Sequence, residues 1–170
     1  MLNFAQITGF DWDAGNDRKN ERHRVSQAEA EQAFFDPGLL VVADERHSMS
    51  EPRFHGLGSS AAGRLLHVTF TLRLGRTKLR VISAAMQAAK KGHFMNKRQN
   101  KTLPRFASEA AERKYWETHD SGTIIDWSTA MRTTLPNLKP NPESIPLRLP
   151  VKWLERIKNA AISRDLHSAS

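Results

Sequence analysis

The clearest pattern in the chain is the alternation across GRLLHVTFTLR, residues 63–73. Leu66, Val68, Phe70 and Leu72 fall on one side of an extended strand, and Leu65, His67, Thr69, Thr71 and Arg73 on the other. Leu74-Gly75-Arg76 reads as a turn, and Lys78 to Ser83 as the return strand, with Leu79, Val81 and Ser83 opposite Lys78, Arg80 and Ile82. The pair predicts an antiparallel hairpin with one apolar face. Its other face gathers His67, Thr69, Thr71, Arg73, Lys78 and Arg80. Upstream, residues 13–24 are polar with weak helical periodicity, and Asp13 can cap a helix there. Ser26-Gln-Ala-Glu29 has the capping-box spacing, and Asp36-Pro37-Gly38 stops the helix it opens. Leu39 to Val42 reads as a short buried strand and Asp44 to Glu51 as a loop. The first ~85 residues thus predict an α+β body, two N-terminal helices on an antiparallel sheet.

Beyond Met86 the pattern changes. Residues 86–107 are basic, rich in Gln and Asn, and lack an apolar stripe, which predicts a linker or a poorly formed helix followed by a linker. Ser108 then caps an amphipathic helix over SEAAERKYWETHD, where Glu109 and Arg113 form a favourable i,i+4 pair. Asp126-Trp127 and Pro136 to Pro140 lie in irregular chain. Ser144 to Leu149 alternates as a short strand, and Pro150 suits the start of a last helix with Trp153, Leu154, Ile157 and Ala161 on one stripe.

Composition narrows the function classes. The 170 residues hold 26 Lys and Arg against 18 Asp and Glu, a formal charge of +8. The isoelectric point near 10.2 directs attention to a polyanionic partner. No acid occurs between Glu51 and Glu109, while that stretch holds 12 basic residues, so its sheet face is expected to bind phosphate. Mean hydropathy is −0.57, and no window offers the ~18 apolar residues of a spanning helix, so neither a membrane partner nor a membrane location is expected. The first ten residues lack a basic region followed by a cleavage site, so a cytoplasmic location is expected. The absence of Cys excludes disulfides, Cys–zinc sites and thiol nucleophiles.

Two stretches resemble known families. Phe10-Asp-Trp-Asp13, Arg22-His23, Val25-Ser26, Glu29-Ala-Glu31, Phe34-Phe35, Asp44 to His47, Glu51 to His55, Gly63 to Arg73 and Arg80-Val-Ile-Ser-Ala84 resemble, in order and spacing, the BrnT toxins of type II toxin–antitoxin systems. That resemblance implies a small RelE-like ribonuclease. Pro104-Arg-Phe, Ser108-Glu-Ala, Tyr115 to Asp120, Asp126-Trp-Ser128, Pro136 to Pro140 and Ser144 to Pro150, leading into Leu154 to Ile157, resemble the partner BrnA or CopG antitoxins. The expected organisation is a toxin domain over 1–94 and an antitoxin region over 95–170, with Met95 marking the antitoxin's former start.

The toxin resemblance implies metal-independent RNA cleavage, which needs a base, cations around the phosphate, an acid and no cofactor. The candidates are His23, His67, Arg64, Arg73 and Arg80, with Lys78 as a nucleic-acid contact. Each has a structural alternative: His23 as a helix C-cap, His67 as filler on the sheet face, the arginines as a solvated hairpin end. His47 and His55 are expected to be structural or solvent-facing. Where the family carries Arg after Ile-Ser-Ala, this chain has Ala85, and 86–94 lacks the family's Glu and Tyr. Losing one cationic clamp would cost on the order of 10²–10³ in rate.

The antitoxin resemblance implies a ribbon-helix-helix segment whose Arg148 contacts operator DNA. The five residues after Asp165 are too short for its second helix, so this part is expected to be truncated and weakly dimeric. Tyr115 and Trp116 are the expected toxin-neutralising residues, folding back within the chain across a linker of ~20 residues at near-millimolar effective concentration. The leading expectation is therefore a fused, self-neutralised toxin–antitoxin with RNA as partner. A DNA-binding CopG-type repressor acting as a homo-oligomer, or an inactive remnant of the pair, are the alternatives.

Overall fold

The computed structural model describes residues 4–12, 25–48, 51–87 and 102–141. Its centre is a six-stranded sheet. In chain order the elements are β1 (Gly9–Phe10), α1 (Gln27–Gln32), β2 (Leu40–Ala43), β3 (Arg53–Ser59), β4 (Leu65–Arg73), β5 (Lys78–Met86), α2 (Glu109–Trp116) and β6 (Met131–Arg132). The strands lie in the order β1-β5-β4-β3-β2-β6. All neighbours are antiparallel except β1 and β5, so the sheet is mixed.

Two expectations change here. The fold is α+β, but it is not two N-terminal helices on a purely antiparallel sheet. The described residues hold one short helix before the sheet, and the expected helix over 13–24 lies outside them. The segments expected to form the ribbon and the last helix, 144–149 and 150–165, also lie outside them, and the described fold has no ribbon-helix-helix.

Local chemistry accounts for the elements that do form. The Ser26 side chain accepts from the Glu29 amide and starts α1; the Glu29 carboxylate goes to Arg64 instead of closing the capping box. Ser108 does the same for α2, accepting from the Ala111 amide. The β4–β5 turn places Leu74, Gly75 and Arg76 at positive φ, of which only the glycine does so without strain. A bulge between Thr69 and Phe70 then re-registers the hairpin. Thr69 faces Ser83 and Phe70 faces Val81, leaving Ile82 as the extra residue. Strict alternation put Ser83 with Leu79 and Val81; the bulge moves it and Ala85 to the face of Thr69 and His67.

The sheet is covered on both faces. Leu66, Val68, Phe70, Leu72, Leu79 and Val81 form a core with Ala30, Ala33 and Phe34 from α1 and the 3₁₀ turn after it. Phe34 meets Phe70 edge to face at 5.2 Å. The Ala33 carbonyl lies over Gly58, where a Cβ has no room. On the other face Leu57, Leu65 and Ala85 pack with Trp116, Ile124, Ile125 and Trp127.

Residues 102–141 wrap the sheet. Helix α2 crosses the His67 face. β6 then adds to the free edge of β2, pairing Leu40 with Arg132 and Val41 with Met131, and the Thr133 amide donates to the Leu39 carbonyl at 2.9 Å. Leu135 and Leu138 continue into the opposite core. The Asn137 side chain donates to the Ala5 carbonyl at 2.8 Å, and the Asn141 amide to Glu31 at 2.8 Å.

Candidate functional site

The face under α2 carries an unusual density of polar side chains for a buried surface. His67, Thr69 and Thr71 come from β4, His55 from β3, and Arg80 and Ser83 from β5, all buried. They share a face because cross-strand partners do so: His55 opposite Thr69, Thr71 opposite Arg80, and His67 opposite Ala85.

Three of these groups form a chain with Asp44, which follows β2. Asp44 Oδ2 lies 2.7 Å from His47 Nδ1 and 3.4 Å from His55 Nε2, the latter an approach that falls short of hydrogen-bond geometry. His55 Nδ1 lies 3.2 Å from His67 Nε2 and 3.3 Å from the Thr69 hydroxyl. One assignment of protons fits all these contacts. His55 presents Nε2–H to the carboxylate and accepts at Nδ1; His67 donates from Nε2 and keeps a lone pair on Nδ1. That nitrogen is buried without a partner.

The electrostatics agree. Burial would raise the Asp44 pKa, but His55 and then His47 beside it outweigh burial and hold it down at about 2. Complete burial, reinforced by the neighbouring His55 and opposed by Asp44, holds the His67 pKa well below its ordinary value, so the ring is neutral near pH 7. A neutral imidazole aligned by a carboxylate–histidine pair is a proton acceptor in waiting.

Helix α2 closes this face. The Trp116 ring stands edge-on to His67 at 4.3 Å and to His55 at 5.7 Å, and Trp127 approaches His67 at 6.1 Å. Ala85, opposite His67, packs in the same cluster as both indoles, so its small side chain lies where they sit. The Arg80 guanidinium is held bidentately by Glu109, at 2.6 and 3.2 Å. Arg53 is held by Glu112 at 2.9 Å, and Arg113 donates to the Ile82 carbonyl at 3.0 Å. The long acid-free stretch thus draws its counter-charges from outside itself, two of them from α2.

The remaining candidates are dispersed. Arg64 pairs with Glu29 at 2.9 Å, toward α1 and away from His67. Arg73 and Lys78 face each other at the hairpin end, where Arg73 pairs with Glu51 at 3.0 Å. The six residue steps from His67 to Arg73 span about 20 Å of strand. Tyr115 stacks on His119 at 3.8 Å and touches Phe106 and Trp116, and partial burial raises its pKa. His23 and Arg148 lie outside the described residues.

Sequence reasoning missed Asp44, Arg53, His55, Glu109 and Glu112 as members of this face. Of the two roles expected for His55, structural or solvent-facing, burial excludes the second. The alternation of Arg53 and His55 within a third strand was the available signal. Nothing in the order of residues announces the α2 carboxylates, whose partners lie 29 and 59 positions away. Among the described residues no cluster of His, Asp and Glu is arranged to hold a metal ion, and no helix is long and apolar enough to cross a membrane.

Comparison with known proteins follows the same division of the chain. No curated protein matches it. The family model described as "Ribonuclease toxin, BrnT, of type II toxin-antitoxin system" matches residues 12–91. The model described as "CopG antitoxin of type II toxin-antitoxin system" matches residues 101–170. The two matches meet at the segment between β5 and α2 and leave little of the chain outside them. The chain is a fused type II toxin–antitoxin polypeptide, a BrnT toxin segment joined to a CopG antitoxin segment that docks on it within the same molecule.

Proposed function

We propose that residues 1–94 form a metal-independent endoribonuclease body and that residues 95–170 neutralise it by occupying its RNA-binding face. The observation that carries this reading is the position of α2. One helix sets Trp116 on His67 and sets carboxylates on Arg80 and Arg53. Carboxylates are acceptors for the same arginine forks that take phosphate. The helix therefore holds the chemistry of a substrate without its scissile bond.

With α2 withdrawn, the free Nδ1 of His67 takes the proton of a ribose 2′-hydroxyl. The 2′-oxygen bonds to the adjacent phosphorus, and the 5′-oxygen leaves with a proton from solvent, producing a 2′,3′-cyclic phosphate. The His55–Asp44 pair stabilises the imidazolium that forms, and Arg80 and Arg53 stabilise charge on the phosphoryl oxygens. Arg64, Arg73 and Lys78 contribute to binding along the strand of RNA and not at this centre, and the catalytic role proposed for His23 rests on the sequence pattern alone. Ala85 supplies no cation beside His67, so the uncovered enzyme is slower than one with a clamp there, by on the order of 10²–10³.

Cytoplasmic RNA is the substrate under this reading. Operator DNA as a partner of Arg148, bound by a homo-oligomer, is a further proposal that rests on the sequence pattern of 144–149 alone.

The test uses the whole chain. Glu109→Lys with Glu112→Lys places like charges against Arg80 and Arg53 and opens the face. Single-stranded RNA is then cleaved by the variant and spared by the parent, and adding His67→Gln abolishes the cleavage. A variant that opens, by loss of Trp116 burial, yet cuts no RNA refutes the ribonuclease reading. Cleavage that survives His67→Gln refutes the assigned base.

A further inference from the structure

A cleft of about 400 Å³ opens where the two halves meet, at the N-terminal end of α2. The first half contributes Arg46, His47 and Arg53, and the second contributes Arg105, Phe106 and Glu112. Its cations differ in their state. Arg53 is committed to Glu112. Arg46 and Arg105 are exposed and have no ion-pair partner among the described residues. Two unneutralised guanidinium groups lining one cavity leave it open to an anion.

The wall beside them is aromatic. His47 stacks on Phe106 with ring centroids 5.5 Å apart and planes 24° from parallel. His47 is fixed on both sides, by Asp44 at Nδ1 and by the Pro104 carbonyl 3.0 Å from Nε2. A rigid π surface next to a pair of free arginine forks is the combination that takes a nucleobase and its phosphate together. The volume lies in the range of small-ligand sites. Glu109 and Glu112 also line the cleft, but each is already engaged by an arginine, Arg80 and Arg53.

We propose that this cleft is a composite site for a nucleoside monophosphate or the phosphorylated end of an oligonucleotide. The phosphate monoester bridges Arg46 and Arg105, and the base lies against the His47–Phe106 stack. Because each half supplies one of the two arginines, the site exists only while the second half is docked. A ligand that binds only the docked state stabilises that state. The site is therefore a clasp: a nucleotide in it holds the RNA face closed. The inference does not depend on ribonuclease activity and stands whether or not the uncovered face cuts RNA.

Titration calorimetry of the full chain with AMP, inorganic phosphate and adenosine tests it. AMP is expected to bind one to one, inorganic phosphate at least about tenfold more weakly, and adenosine without measurable heat. Arg46→Gln with Arg105→Gln, both exposed, keeps the melting temperature of the free protein and weakens AMP by about tenfold for each guanidinium removed. AMP also slows hydrogen exchange of residues 102–117 in the parent and not in the double variant. Absence of AMP binding at millimolar concentration, or binding unchanged in the double variant, overturns the site. Phosphate binding as tightly as AMP overturns the nucleotide class. Binding without slowed exchange overturns the clasp.

Discussion

Replacing Trp116 by alanine separates docking of α2 from the rest of the fold. The indole is almost fully buried, and its ring meets His67, His55 and Tyr115 at 4.3, 5.7 and 5.2 Å. Truncating such a ring costs about 3–5 kcal/mol. The polar contacts of α2, Glu109 with Arg80, Glu112 with Arg53 and Arg113 with the Ile82 carbonyl, survive the change. If the loss falls on the docking equilibrium alone, the ratio of docked to undocked chains falls by about two to four orders of magnitude. Hydrogen exchange of the intact chain reads this directly. Amides of residues 109–117 should exchange at least about a hundredfold faster in Trp116→Ala, while those of α1, on the opposite face, change by no more than a few-fold. Equal acceleration in α1 and α2 would show that the helix cannot leave without unfolding the body, and the account of a removable cover would fall. Unchanged exchange in both would show that the ring contributes nothing to docking.

Asp44→Asn tests the charge chain through pH. In the fold Asp44 stays ionised down to about pH 2, against 3.8 for the free group, so the unfolded chain takes up its proton first. The stability it contributes, about 2 kcal/mol, is full above pH 5 and is lost as pH falls through 3.8 toward 2. Denaturant melts of Asp44→Asn should therefore be flatter than the parent between pH 5 and 2; equal slopes would refute the assignment. Leu135→Ala with Leu138→Ala removes the part of the second half that enters the core on the α1 side. Urea unfolding should show a loss of at least about 2 kcal/mol with α1 and α2 exchanging faster together, the opposite of the Trp116 pattern. A variant that loosens α2 alone would refute the wrapped arrangement.

The parts legible in the sequence were those set by short-range pattern. Alternation over 65–73 marked one of the two longest strands and both of its faces, and serine caps at 26 and 108 marked both helix starts. The hidden parts depended on partners distant in the chain. β1 and β6 have two residues each and become strands only because β5 and β2 offer them an edge. The bulge at Ile82 has no marker such as glycine, and it alone decides that Ser83 and Ala85 join the His67 face. The acid-free stretch raised the expectation of phosphate binding, whereas the anions found on Arg53 and Arg80 are carboxylates of the same chain. It did not reveal that Glu109 and Glu112, the first acids after the gap and on the same side of the next helix, would supply them from within the molecule.

That arrangement bears on what keeps RNA out. A docking free energy of about 3 kcal/mol leaves the face open about 1% of the time, which weakens any ligand of the open face about a hundredfold. A non-specific polyanion that would bind the open face at about 10⁻⁵ M is thereby pushed to about 10⁻³ M. Salt shifts this balance toward the helix, because the largely buried pairs of Arg53 and Arg80 with carboxylates are screened less than contacts to a polyanion that recovers its counterions on release. The Trp116 contact with His67 is apolar and has no counterpart in that competition. As ionic strength rises, RNA loses its phosphate contacts while the helix keeps its indole. The polar pairs therefore make α2 resemble the substrate, and the buried ring makes it the stronger competitor.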